Sequence, residues 1–115
     1  MIIRKEQFQI FKNLEIKKFE YRMQKHLRLI FPAETMEIED DKLLQLIQSG
    51  ILNSKKYGLK MEWDIRRYLE CSVLYGWDFD ENTKTSWAMK ILNNQKPNAR
   101  EKMDEIELFD NNFDK

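Results

Sequence analysis

The chain has 115 residues, of which 42% are hydrophobic and 35% are charged, and its formal net charge is zero. This balance excludes an intrinsically disordered chain and a membrane-embedded protein. Only three Gly and two Pro occur, which favours long helices over a strand-rich fold with many tight turns. We therefore predict an all-α fold, a compact bundle of four to five helices around a long N-terminal helix, in a single domain over residues 1–115.

Cysteine content and hydropathy bear on the compartment. Cys71 is the only cysteine, so an internal disulfide is impossible and a reducing compartment is the simplest expectation. The first residues lack the apolar centre of a signal peptide, and no apolar run approaches the roughly 20 residues of a membrane span. These features predict a soluble, cytoplasmic protein without membrane partners.

The charges are unevenly distributed along the chain. Residues 1–31 contain eight Lys or Arg against three Asp or Glu, whereas residues 97–115 contain three against six. The chain therefore runs from a basic head to an acidic tail. Two explanations fit: the ends compensate each other within the molecule, or one of them attracts a partner through interactions that salt weakens.

The first predicted helix covers residues 4–31, because no Gly or Pro interrupts them and Pro32 disfavours continuation. Its apolar side chains fall on two faces. One face has the helical spacing of a core, with Phe8, Ile16, Phe19, Met23, Leu27 and Ile30. The second face, which we call the α1 strip, combines apolar and basic residues: Ile10, Leu14, Lys17, Tyr21, Lys25 and Arg28.

The α1 strip makes the first helix apolar around more than half of its circumference, so something must cover it. Other helices of the same domain are one possible cover. The alternative is that the strip binds a protein partner.

Four further segments complete the predicted organisation. A second helix capped by Asp40 or Asp41 ends near Gly58, with Leu43, Leu44, Ile47, Ile51 and Leu52 inward. A third helix over residues 62–75 precedes a turn in which Trp77 and Phe79, together with Trp87 of the next helix, are expected to pack onto the core. A short helix follows at residues 86–93. A last helix from about Ala99 uses Met103, Ile106 and Phe109, and residues 110–115 form an acidic tail that we expect to fray.

No motif in the sequence indicates catalysis, a cofactor or a metal. Asp78, Asp80 and Asn82 match the start of a calcium-binding loop, but Thr83 and Met89 stand where its Gly and bidentate Glu belong, so turn formation is the better interpretation. His26 and Cys71 have no complementary motif nearby in sequence. We therefore expect a non-enzymatic protein, and zero net charge argues against a nucleic-acid partner.

Five segments together resemble a family of small helical proteins encoded among type VI secretion and toxin genes of Gram-negative bacteria. They are IRKEQF at 3–8, FEYRM at 19–23 with His26-Leu27 and Phe31-Pro32, YGL at 57–59, GWDFD at 76–80, and SWA at 86–88. This chain departs from the family pattern before the third helix, where Lys60-Met61 replaces Ser or Thr.

The resemblance implies a cytoplasmic protein partner, either a toxin or effector or a component of the secretion spike. The leading hypothesis is a helical adaptor or chaperone that binds this partner through the α1 strip. The alternatives are an immunity protein that neutralises a cognate toxin and a small nucleic-acid-binding domain. The oligomeric state stays open.

Overall fold

A computed structural model describes the backbone of residues 5–94 and 97–113 and the side chains of residues 14–94 and 97–108. The described chain forms six α-helices and a 3-10 turn at Thr83–Thr85. The helices are α1 (Lys5–Ile30), α2 (Pro32–Thr35), α3 (Asp40–Lys56), α4 (Glu62–Tyr75), α5 (Ser86–Asn93) and α6 (Ala99–Phe113). No strand occurs within these ranges, so the predicted all-α class is confirmed. The additional helix is α2, a single turn between the first and second predicted helices.

The chain divides into two compact units, residues 1–47 and 48–115, and the boundary lies inside α3. The first unit contains α1, α2 and the start of α3. The second contains the end of α3, then α4, α5 and α6. The single domain predicted from the sequence stays a prediction. No helix in the described ranges is long and apolar enough to cross a membrane.

In the first unit, the predicted core face of α1 is confirmed at its centre and wrong at its end. Phe19, Met23 and Leu27 are buried, as are Leu43 and Ile47 of α3. Ile30 is exposed. Helical spacing assigned it to the core, but α1 ends at this residue and the chain turns through Phe31 into α2. The side chain of Phe8 lies outside the described residues.

In the second unit, glycines set the ends of α3 and α4. Gly58 follows α3 with a φ of 83°, and the Leu59 N–H donates to the Ser54 carbonyl at 3.2 Å, which satisfies a carbonyl of the last turn. Gly76 has a φ of 111° and ends α4 at the predicted residue. Such positive φ values favour Gly because it lacks a Cβ.

The core of the second unit is mainly aliphatic around two central aromatic rings. Tyr68 and Phe79 are almost completely buried, with ring centroids 5.0 Å apart. Gly50 permits close packing of α3, since a Cβ there would lie 2.6 Å from Leu69 Cδ2. The other buried apolar residues of this unit are Ile51, Leu59, Ile65, Leu69, Cys71, Ala88, Leu92, Met103 and Ile106.

Not all large apolar side chains of this unit are buried. Leu52 was assigned to the core and is exposed. Trp63 is 54% exposed, and the Arg66 guanidinium lies 4.0 Å from the centre of its ring. Trp87 is half-buried and meets Tyr75 edge-on at 5.3 Å, as expected for a ring that packs. The side chain of Phe109 and the side chains of the acidic tail lie outside the described residues.

Candidate functional site

The α1 strip is exposed to solvent wherever the structure describes its apolar side chains. Leu14 is 49% exposed and Tyr21 is 56% exposed. Lys17 and Lys25 are exposed as well. The side chain of Ile10 lies outside the described residues. Because successive members are three or four residues apart, the strip runs along one side of α1.

The strip lies on the opposite side of α1 from the buried face that contains Phe19, Met23 and Leu27. It also extends further than the sequence indicated. Leu29 is 78% exposed and follows Lys25 by one turn. Its exposure was detectable in principle, because Leu29 lies outside the core spacing that includes Leu27. The apolar part of the surface therefore includes Leu14, Tyr21 and Leu29.

Arg28, the last member of the strip, is bound within the first unit. Its guanidinium donates to the Thr35 carbonyl at 2.8 Å and to the Ile38 carbonyl at 2.7 Å. It also pairs with Asp40 Oδ1 at 2.7 Å. Gln24 Nε2 donates to the Asp40 carbonyl at 2.9 Å nearby. Arg28 thus fixes the turn from α1 through α2 to α3, a role that helical spacing alone did not reveal.

The acidic turn after α4 is held by its own hydrogen bonds. Asn82 Nδ2 donates to Asp78 Oδ2 at 3.3 Å, and Asn82 Oδ1 accepts from the Lys84 N–H at 2.9 Å. The Asp80 carboxylate accepts from the Tyr57 hydroxyl at 2.7 Å. The residues that match the start of a calcium-binding loop therefore form and cap a turn. In the part of the chain that the structure describes, no group of three or more potential ligands is arranged to hold a metal.

Two tyrosines lie near Asp80 in the second unit. Burial, followed by the hydrogen bond with Asp80, raises the pKa of Tyr57. Burial and the charge of Asp80 also raise the pKa of Tyr68, whose buried hydroxyl has no hydrogen-bond partner among the described residues. Both phenols therefore stay protonated at neutral pH. Tyr57 acts as a donor that holds the turn, and Tyr68 contributes mainly its ring.

The side chain of Arg67 joins α4 to α6. Its Nε lies 2.8 Å from Glu107 Oε1, and its Nη2 lies 2.7 Å from Asp104 Oδ1. Burial by itself would lower the pKa of Arg67, but the bonds with Glu107 and Asp104 outweigh that effect and raise it. The guanidinium is therefore a permanent charge held between two helices, and sequence analysis did not single it out.

A cleft of about 430 Å³ lies beside this ion-pair network in the second unit. Asp64 lines it and is only 2% exposed. Its Oδ1 is 3.8 Å from Arg67 Nη1 and 4.0 Å from Arg100 Nε, and it makes no hydrogen bond to a described residue. A buried carboxylate needs nearby positive charge to offset its desolvation. The arrangement therefore indicates charge balance between α4 and α6.

The two side chains with the most reactive chemistry, Cys71 and His26, are not exposed. Cys71 is a buried thiol in α4 that forms no disulfide, which fits a small packed side chain. His26 is half-buried in α1. The accessible feature with the most distinctive chemistry is therefore the α1 strip.

Comparison of the chain with protein-family models, with curated proteins and with solved structures yields no match.

Proposed function

We propose that this chain is a helical adaptor or chaperone that binds another protein through the α1 strip. The partner class is the one that the sequence resemblance implies, a toxin, an effector or a secretion component of a type VI system. The observation that supports this proposal is the exposure of Leu14 and Tyr21, which lie two turns apart, with Tyr21 between the exposed Lys17 and Lys25.

The chemistry of the strip suits a protein surface that is both apolar and acidic. Tyr is enriched among residues that contribute most to binding, because its ring buries a large area with few rotatable bonds. Burial of Leu14 and Tyr21 on binding contributes roughly 1 kcal/mol each, because about half of each side chain is still exposed before binding. The lysines add attraction over a longer range and favour an acidic partner.

The proposal is tested by co-expression with the product of each flanking gene, followed by affinity purification. The variant Leu14→Asp with Tyr21→Ala removes the apolar part of the strip. We expect it to weaken capture of the partner by about 2 to 4 kcal/mol, which abolishes recovery of a micromolar complex.

Leu52→Asp is the matched control, since Leu52 is also exposed but lies on α3. It should retain the partner. Equal recovery with the strip variant and with wild type would exclude the strip as the binding surface. Circular dichroism of both variants verifies that each remains helical.

A growth assay separates the adaptor or chaperone role from that of an immunity protein. A chaperone raises the amount of soluble partner in the cell without restoring growth when the partner is toxic. If growth is restored while the amount of toxin stays the same, the strip would instead neutralise the toxin, as in an immunity protein.

A further inference from the structure

The exposed side of α6 carries the chemistry complementary to that of the α1 strip. Leu108 is 63% exposed and lies three, four and seven residues after Glu105, Asp104 and Glu101, all of them exposed. These spacings place the four side chains along one side of the helix. We call these residues the α6 strip. The opposite side of α6 contains the buried residues Lys102, Met103 and Ile106.

The two strips are complementary in the arrangement of their side chains as well as in the sign of their charges. In α1, Tyr21 is flanked by Lys17 and Lys25 at four residues on either side, with Lys18 on the neighbouring row and Leu14 two turns before. The α6 strip presents one large apolar side chain among three carboxylates, of which Asp104 also pairs with Arg67 of the same chain. Helices that pack side by side pair apolar residues at the centre and place opposite charges at the edges.

We infer that the α1 strip binds the α6 strip of a second copy of this chain. The inference uses the surface to which the proposed function assigns a partner, so the second copy and that partner compete for it. Like charges disfavour pairing of two α1 strips or of two α6 strips. A formal net charge of zero removes overall repulsion between copies.

The contact joins two different surfaces of the same protein. A dimer in which each copy contributes both strips is closed and isologous, whereas a contact in which each copy contributes one strip is heterologous and continues into larger assemblies. Each exposed ion pair strengthens binding by roughly a factor of one to five. Self-association is therefore weak, concentration-dependent and sensitive to salt.

Sedimentation velocity over a concentration series measures this association directly. We expect the weight-average sedimentation coefficient of the full chain to rise with protein concentration at about 0.1 M salt and to remain at the monomer value at about 1 M, where the screening length falls from about 10 Å to 3 Å. A monomer at every concentration in low salt would overturn the inference.

Charge reversal identifies the two strips as the surfaces in contact. Lys17→Glu with Lys25→Glu makes the α1 strip acidic, and Glu101→Lys with Glu105→Lys makes the α6 strip basic. Each double variant alone carries two strips of like charge, so we expect its association to weaken on the order of tenfold. An equimolar mixture should recover it, because the unaltered strip of each variant is complementary to the other protein.

Lys84→Glu with Lys90→Glu controls for net charge, since both lysines are exposed and lie outside the strips. This variant should associate like wild type. Wild-type association of either strip variant, or failure of the mixture to associate, would contradict the contact. A wild-type protein that stays monomeric at every concentration but still captures its partner through the α1 strip would overturn this inference and leave the proposed function intact.

Discussion

Arg28 and Arg67 each hold helices together, but they do so with different acceptors. Arg28 in the first unit donates to the Thr35 and Ile38 carbonyls and to the largely exposed Asp40 carboxylate. Among the described residues, Arg67 of the second unit is bound by charged groups: the exposed Asp104 and Glu107, with the buried Asp64 at 3.8 Å. One arginine satisfies backbone groups, and the other neutralises carboxylates. Their removal should therefore have unequal consequences.

The largest expected effect is that of Arg67→Met, which keeps much of the apolar stem and removes the charge. Of the cations in the described part of the chain, it leaves Arg100, at 4.0 Å, beside the buried Asp64. We expect the free energy of unfolding in urea at pH 7 to fall by about 3 to 5 kcal/mol, since an uncompensated buried charge is strongly destabilising.

The double variant Asp64→Asn with Arg67→Met separates charge from packing. Neutralising residue 64 should recover part of the loss, because no buried charge is then left unpaired. A double variant that is less stable than Arg67→Met would show that Asp64 does not depend on this arginine.

Trp87→Ala tests how far aromatic packing, in addition to Arg67, stabilises the second unit. Trp87 is half-buried and contacts Tyr75 edge-on at 5.3 Å. We expect a loss of about 2 kcal/mol, below the 3 to 5 of a fully buried ring. A loss of this size lowers the melting temperature by several degrees in a scanning calorimeter. An unchanged melting temperature would mean that the ring adds nothing to packing.

Arg28→Ala should destabilise the protein less than Arg67→Met. It removes the donors to two part-buried carbonyls but leaves no buried charge, so we expect a loss of about 1 to 2 kcal/mol. Amide hydrogen exchange of residues 32–40 should quicken more than that of α4. Arg28→Lys is the control. It keeps the positive charge, but its single ammonium can make only part of the hydrogen bonds of the guanidinium, so it should recover only part of the loss. Equal losses for Arg28→Ala and Arg67→Met would remove the contrast between the two arginines.

The smallest expected effects concern the hydroxyls of Tyr57 and Tyr68. Tyr57→Phe removes the 2.7 Å bond to Asp80 and should cost about 1 kcal/mol at pH 7. Tyr68→Phe removes a buried hydroxyl that has no partner among the described residues, so it should be neutral or slightly stabilising. Urea unfolding of the two variants in parallel measures the difference. Equal losses would show that the Asp80 bond contributes no stability.

Alkaline pH sharpens the comparison of the two tyrosines. Their pKa values are raised in the fold, so the unfolded chain releases these protons at lower pH than the native protein does. Stability from this source is intact below the ordinary tyrosine pKa of about 10 and falls as the pH rises above it. Between about pH 10 and 11.5, the free energy of unfolding of each Phe variant should therefore fall less than that of wild type. If the free energy of unfolding of both variants fell with pH as steeply as that of wild type, the tyrosines would not be the source of this pH dependence.

Helix boundaries were predictable from the sequence, whereas the contacts made by charged side chains were not. Gly76 ended α4 where expected because a left-handed residue stops a helix locally. The exposure of Trp63 was also accessible to analysis, since it shares the outer side of α4 with Glu70 and Leu74. By contrast, the pairing of Arg67 with Glu107 joins residues 40 positions apart, and periodicity within one helix carries no information about it.

Candidate sites followed the same rule. The α1 strip could be described as a combined apolar and basic surface because its spacing is a property of one helix. The binding of Arg28 by the turn that follows could not, because it depends on how the chain folds back after Pro32. Aliphatic spacing also failed at Ile30 and Leu52, since periodicity identifies a face without showing where a neighbour covers it.

The two arginines close loops of different length, and this difference predicts the order in which their contacts form during folding. Arg28 binds acceptors 7, 10 and 12 residues away, whereas Arg67 binds acceptors 37 and 40 residues away. Short loops close at lower entropic cost, so we expect the turn after α1 to form before the transition state and the α4–α6 ion pairs to form after it. In stopped-flow experiments, Arg28→Ala should then slow refolding, and Arg67→Met should mainly accelerate unfolding.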